Sequence, residues 1–143
     1  MIRGFFNPAI LPQPILRVAV RIPAIHPDWQ LVNFIVDTGA AVTCIHAIDA
    51  MRLFGMSPAS LAPTALPNPS PIGGIGGGLT YGKTPAEYGF LRDGDQWHVL
   101  SGEIRIGELR SQGTPALLGW DLLKNFELTT HGKDQTITLR LLE

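Results

Sequence analysis

The arrangement best suited to chemistry in this 143-residue chain is Asp37-Thr38-Gly39-Ala40. An acid is followed by a hydroxyl, a glycine and a small residue, directly after the apolar run Leu31-Val32-Asn33-Phe34-Ile35-Val36. A carboxylate at a strand end is held rigidly enough to serve as a general acid or base. Gly39 permits a tight turn and lets another backbone approach closely. Ala40 is small enough for its N–H to reach the acid. The competing reading is that Asp37 only opens a turn, a place where Asp and Gly are common.

Other spacings carry less. Gly77-Gly78-Leu79-Thr80-Tyr81-Gly82-Lys83-Thr84 fits the phosphate-loop pattern letter for letter. That motif needs a strand before it and a helix after it whose N-terminus holds phosphate. Pro85 follows instead, and Tyr88-Gly89-Phe90 has strand period, so nucleotide binding is set aside. The four histidines, His26, His46, His98 and His131, are dispersed. Cys44 and His46 are too close for the usual zinc spacing and no second pair follows, so no metal and no cofactor is expected. Cys44 reads as a small core residue rather than a nucleophile. No Gly-x-Ser-x-Gly element is present. Arg105 and Arg110 read as solvated strand edges.

Three segments in order sharpen the first motif. Asp37-Thr38-Gly39-Ala40 resembles the active-site motif of retropepsin-like (retroviral-type) aspartic proteases. Ile72-Gly73-Gly74-Ile75-Gly76-Gly77 resembles their flap tip. Leu117-Leu118-Gly119-Trp120-Asp121-Leu122-Leu123 resembles the apolar-apolar-Gly segment leading into their C-terminal helix. The resemblance spans roughly Leu31 to Leu142. It implies an all-β fold, a small closed barrel-like half domain with one or two short helices and a glycine-rich flap hairpin. It also implies an aspartic endopeptidase that hydrolyses peptide bonds through an Asp dyad and an activated water.

That mechanism needs two carboxylates sharing one proton, because like charges about 3 Å apart cannot both ionise. The chain has a single Asp-Thr-Gly, so a homodimer would have to place Asp37 against its own copy. The resemblance makes Asp37, Thr38 and Gly39 the catalytic set, with Thr38 bracing the loops across the two-fold axis and Gly39 facing the substrate backbone. Ala40, Gly73, Gly74, Ile75 and Gly76 would contact a peptide or protein substrate, Gly73 and Ile75 through their backbones. A floppy linker is the alternative for the glycine cluster, but Ile72 and Ile75 are unusual in one. The sequence also departs from the family. Ala41 stands where an acid follows the motif, and Trp120 stands where an arginine pairs with that acid. Both partners are missing together, so no orphaned charge is left, and apolar packing by Trp120 is expected in place of the ion pair. A non-catalytic dimerisation or peptide-binding module on the same fold is the alternative function.

Mostly period-two patterning must position these residues. Leu16, Val18, Val20 and Ile22 alternate with Arg17, Ala19 and Arg21 as in a half-buried strand. Pro23 to Gln30 reads as a turn region, and Leu31 to Val36 as a central strand buried on both faces. Val42 to Ile45 predicts a short strand. Ala47 to Phe54 predicts a short helix that stops at Gly55, and Ser57 to Pro71 a proline-rich loop. Ala86–Leu91 and Gln96–Leu100 flank Asp93-Gly94, a strong hairpin signal. Pro115 to Leu118 predicts a strand and Trp120 to Phe126 a helix. Phe126–Thr130 and Thr136–Leu142 pair across His131 to Asp134. The many short strands suggest a barrel or sandwich. One domain over 1–143 is expected, with residues 1–30 as an N-terminal extension and first strand, longer than the family's lead-in, and 70–84 as the flap.

Composition bounds the class. Net charge is -1, with no basic patch for nucleic acid and no acidic tail. Charged residues are 16%, against roughly 25% in an average soluble domain. So few charges suggest an apolar surface kept for a partner copy. With one cysteine, no internal disulfide can form. The long uncharged stretch from Leu53 to Gly82 is broken by prolines and glycines, so it cannot span a membrane as a helix. The N-terminus lacks the apolar core and cleavage site of a secretory signal. A cytoplasmic protein is expected.

Overall fold

In the computed structural model, residues 1–7, 13–72 and 78–142 are described. The chain is mostly β. Its strands are β1 Ile2–Asn7, β2 Gln13–Ile22, β3 His26–Val36, β4 Cys44–Ile45, β5 Ser70–Ile72, β6 Leu79–Arg92, β7 Gln96–Gly107, β8 Ala116–Leu118, β9 Phe126–His131 and β10 Thr136–Leu141. Helices α1 Ala47–Phe54 and α2 Trp120–Leu123 lie between strands, with short 3-10 turns at Pro58–Leu61 and Leu109–Ser111.

The strands form one sheet in the order β5-β6-β7-β4-β8-β3-β2-β1-β10-β9, and β6 also pairs with β2. Among the described residues the pairs β3–β8 and β4–β7 are parallel and the others antiparallel. Alternation sends one face of each long strand inward. Leu16, Val18, Val20 and Ile22 of β2 are buried with Val32, Phe34 and Val36 of β3, Tyr88 and Phe90 of β6, and Ile104 and Ile106 of β7. Burying a large apolar side chain of this kind stabilises by roughly 1.5–3 kcal/mol, so this inner face fixes the register of the strand that carries Asp37.

Two sequence expectations change here. The turn before β3 is only Pro23 to Ile25, and β3 begins at His26. Nor is β3 buried on both faces: Val32, Phe34 and Val36 are inside, while Leu31 is 56% exposed. The continuous apolar run comes from two different surfaces. Leu31 points outward and shares an open cleft with Ala19, Trp29, Gly89, Trp97 and Val99. β1 is a strand that the sequence reading lacked, and β5 takes Ser70 and Pro71 out of the expected proline-rich loop.

Local signals elsewhere hold. α1 spans Ala47–Phe54 and ends at Gly55, whose φ of 68° is the left-handed conformation glycine adopts without strain. The β6–β7 hairpin turns over Asp93 to Asp95, with Arg92 opposite Gln96. β9 and β10 pair antiparallel from Phe126↔Leu141 to His131↔Thr136. α2 is shorter than expected, because Phe126 already starts β9.

Candidate active site

Asp37 is placed by a parallel strand pair. Phe34, Ile35 and Val36 align with Ala116, Leu117 and Leu118, and the Asp37 N–H donates to the Leu118 carbonyl at 3.0 Å. β3 ends there, and the chain reverses. The Ala40 N–H donates to the Asp37 carbonyl at 3.1 Å, and the Gly39 N–H donates to Oδ1 of Asp37 at 2.8 Å. Asp37 thus accepts on both its backbone and its side chain, as Asp does in turns. The carboxylate's donor is Gly39, not Ala40, whose N–H closes the turn. A Cβ on Gly39 would sit 3.2 Å from Oδ1, so glycine allows this bond to be short. Asp37 and Ala40 are half-buried; Thr38 and Gly39 are exposed.

The segment from β8 into α2 carries the turn. The Trp120 N–H donates to the Ala40 carbonyl at 2.9 Å and the Asp121 N–H to the Ala41 carbonyl at 3.1 Å. Gly119 lies against that loop: an added Cβ would be 2.6 Å from the Val42 oxygen and 2.9 Å from the Ala40 oxygen. No side chain fits without moving backbone. The Asp121 carboxylate accepts from the Thr43 N–H at 3.0 Å and the Thr43 hydroxyl at 2.7 Å. The Gly119 N–H donates to the Thr43 hydroxyl oxygen at 3.1 Å. Thr43 and Asp121 have a structural part in the site that the sequence reading did not assign. The only signal was a buried-type threonine and an acid near two glycine turns far apart in the chain.

Trp120 adds a tie that the sequence did not show. Its indole Nε1–H donates to the Thr38 carbonyl at 2.6 Å, and the side chain is 45% exposed. Within the chain it ties the turn by this hydrogen bond.

A second polar cluster lies where β6 leaves β5. His46 is buried, with Nδ1 2.8 Å from the Pro115 carbonyl and Nε2 2.7 Å from the Tyr81 hydroxyl. Since a carbonyl can only accept, Nδ1–H is the donor there, and Nε2 accepts from Tyr81. Burial lowers the His46 pKa from its ordinary value. It pushes the Cys44 thiol up to about 12 and the Tyr81 phenol to about 12. Next to Tyr81, the Thr80 N–H donates to Oε2 of buried Glu108 at 2.7 Å, and the Glu108 N–H donates to the Thr80 carbonyl at 3.0 Å. The Arg110 guanidinium bonds to Glu108 and, with the Thr80 N–H, holds that carboxyl down at about 2. Arg110 lies on the 3-10 turn after β7, not on a strand edge.

Ile72 pairs with Leu79 across the β5–β6 antiparallel pair. Gly73, Gly74, Ile75 and Gly76, the expected flap-tip residues, lie outside the described residues. Thr80 to Thr84 belong to β6, so the phosphate-loop match has no helix behind it. Among the described residues no group of three or more His, Cys, Asp or Glu could hold a metal ion, and no helix is long and apolar enough to cross a membrane. Compared with known proteins, the chain matches no family model and no curated protein.

Proposed function

We propose that the chain is a homodimeric, retropepsin-like aspartic endopeptidase in which Asp37 of each copy supplies one carboxyl of the dyad. The observation that carries this reading is the mounting of Asp37. It sits at the end of a strand, half-exposed, with Oδ1 held by the Gly39 N–H and its backbone held by Leu118. One carboxylate oxygen is thereby fixed by the protein, and among the described residues no donor reaches Oδ2. A two-fold axis near the exposed Thr38-Gly39 segment would bring a second such carboxyl opposite.

In that dimer the pair binds one proton as a coupled unit. The ionised member takes a proton from a water lying between them. The neutral member donates to the peptide carbonyl as the water attacks it. Metal is not needed for this step, because the second carboxyl does the polarising. The circuit of pairings β2-β3-β8-β4-β7-β6 and back to β2 supports reading the core as a small closed barrel. The β5–β6 pair supports a flap hairpin over residues 70–84. An extended peptide would bind between the two copies by strand-like pairing.

The test is Asp37→Asn, assayed against a mixed peptide library and compared with wild type for dimerisation. The expected result is a folded dimer with no cleavage, and inhibition of the wild type by a transition-state mimic of aspartic proteases. A folded Asp37→Asn chain that cleaves as fast as wild type refutes the dyad. A wild type that dimerises and binds peptides, without turnover or inhibition, instead makes the chain a binding module on this fold.

A further inference from the structure

Trp120 and Asp37 grip the two ends of one peptide unit. The Thr38 carbonyl accepts from the Trp120 indole at 2.6 Å. The next atom group along the chain, the Gly39 N–H, donates to Oδ1 of Asp37 at 2.8 Å. Carbonyl and N–H belong to the same planar peptide, so they point in opposite directions and rotate together. Turning the carbonyl away from Trp120 necessarily turns the N–H away from the carboxylate.

The rest of the loop is held differently. From Ala40 to Thr43 it is fixed on the β8–α2 segment by backbone bonds and by Asp121. Thr38 and Gly39 are exposed, and neither of those anchors reaches the peptide between them. For its carbonyl the indole is the protein donor. Hydrogen bonds in series polarise one another: an N–H whose carbonyl is already bonded is a better donor to a carboxylate. Trp120 therefore acts on Oδ1 both in direction and in strength, without touching it.

We infer that Trp120 is a positioning residue for the Asp37 carboxyl, acting through the Thr38–Gly39 peptide; this rests on the reading of Asp37 as the reacting acid. It departs from the ion pair to which the same position contributes in the family this chain resembles. An indole N–H bonded to a backbone oxygen steers the acid's own turn.

The test uses the full chain and two kinds of readout. The first is the amide spectrum, which needs no activity. In Trp120→Phe the ring is kept and the donor lost, and the Gly39 amide resonance is expected to move upfield and exchange faster, with the Ala40 amide little changed. The coupling is reciprocal, so Asp37→Asn should move the Trp120 indole proton upfield in a chain whose Trp120 is intact. The second readout is kinetic: kcat on a cleaved peptide falls about tenfold in Trp120→Phe, while KM stays within about twofold. Trp120→His, which restores a ring N–H donor, recovers part of the loss. An unmoved Gly39 amide in folded Trp120→Phe, or an unmoved indole proton in Asp37→Asn, overturns the inference. The spectrum decides the coupling even if the wild type cleaves nothing, in which case the endopeptidase reading fails separately. Should Trp120→Phe not fold, Asp37→Asn decides alone.

Discussion

Removing the Asp121 carboxylate asks whether the loop behind Asp37 is braced or merely adjacent to α2. Three donors converge on it: the Thr43 N–H at 3.0 Å, the Thr43 hydroxyl at 2.7 Å and the Leu122 N–H at 3.0 Å. They do not lose equally in Asp121→Ala. The Leu122 N–H keeps a second acceptor, the Gly119 carbonyl at 3.2 Å. Thr43 is fully buried, so water cannot replace the carboxylate on its N–H without the loop opening. A buried donor left without a partner costs about 1–3 kcal/mol. The hydroxyl can rotate but still loses a charge-assisted bond. Together the two Thr43 donors place the loss at about 2–4 kcal/mol, a large fraction of the roughly 5–15 kcal/mol of an ordinary domain. Asp121→Asn keeps one oxygen and turns an NH2 toward the other donor, so about half of that loss is expected.

Urea unfolding measures this directly, with the midpoint moving and the slope constant. Thr43→Val supplies the second leg of a cycle. It removes the same hydroxyl–carboxylate bond and also frees the Gly119 N–H that donates to the hydroxyl. The two variants share a contact, so they should be non-additive by about 1 kcal/mol. An Asp121→Ala loss under about 0.5 kcal/mol, the range of neutral surface changes, would refute the brace. The backbone bonds from Trp120 to Ala40 and from Asp121 to Ala41 would then hold the loop by themselves.

Two further outcomes follow from the buried cluster. Burial holds His46 below its ordinary 6.5, so below that pH the unfolded chain binds a proton that the native chain does not. Its contribution is complete above pH 6.5 and is lost as pH falls from there toward the native value, by at most about 1.4 kcal/mol per pH unit. Urea midpoints measured from pH 8 down to about 5 should show this slope, and His46→Gln should flatten it; an unchanged slope in the variant assigns it to another group. Cys44, buried and with its thiol at about 12, should resist iodoacetamide at pH 8 in the native state and react only on unfolding. Labelling of the folded chain at the rate of a free thiol would contradict the packing around it.

The parts of the fold legible in the sequence are those whose cause is local. Gly55 marks the end of α1 because it directly follows the apolar face of Ala47, Ala50 and Phe54 and takes the positive φ that glycine adopts without strain. Asp93 to Asp95 mark a hairpin because Gly94 and Asp95 carry the positive φ that the turn needs. Asp37 could be marked as a strand-end acid for the same reason. The parallel alignment of Val36 with Leu118 could not be read from residue pattern, and the resemblance linked the two segments only through the family's pairing at the positions of Ala41 and Trp120. The specific contacts that rest on it were not legible: the seat of Gly119 under Ala40, the Asp121–Thr43 bonds and the indole on Thr38. His46 shows the same limit. As a lone histidine between Ile45 and Ala47 it carries no signal, and its partners Tyr81 and Pro115 are distant in the chain. In β3 the error had another origin. An uninterrupted apolar run is the pattern of a doubly buried strand, but it also arises when the outer face of a strand carries its own exposed apolar patch.

That patch changes what the low charge can be taken to mean. A chain with 16% charged residues suggested an apolar surface kept for a second copy, and the Asp dyad calls for a second copy. The structure puts an exposed apolar patch away from the Asp37 turn. Trp29, Leu31, Trp97 and Val99 are all at least 40% exposed and line one cleft, floored by Ala19 and Gly89. None of Asp37, Thr38, Gly39 and Ala40 contributes to it. What the turn itself offers a partner is the exposed Thr38-Gly39 backbone and the Thr38 hydroxyl beside one half-exposed indole. The carbonyl and N–H of the Thr38–Gly39 peptide are already bonded within the chain, so in the proposed dimer the Thr38 hydroxyl is the group left to bond across the axis. The scarcity of charge is met by a patch apart from the turn, and the dyad proposal rests on the motif resemblance and the mounting of Asp37. By the same reasoning, polar substitutions at Trp97 and Leu31 leave that reading untouched, whereas Asp37→Asn strikes it directly and Trp120→Phe tests only how the Asp37 carboxyl is held.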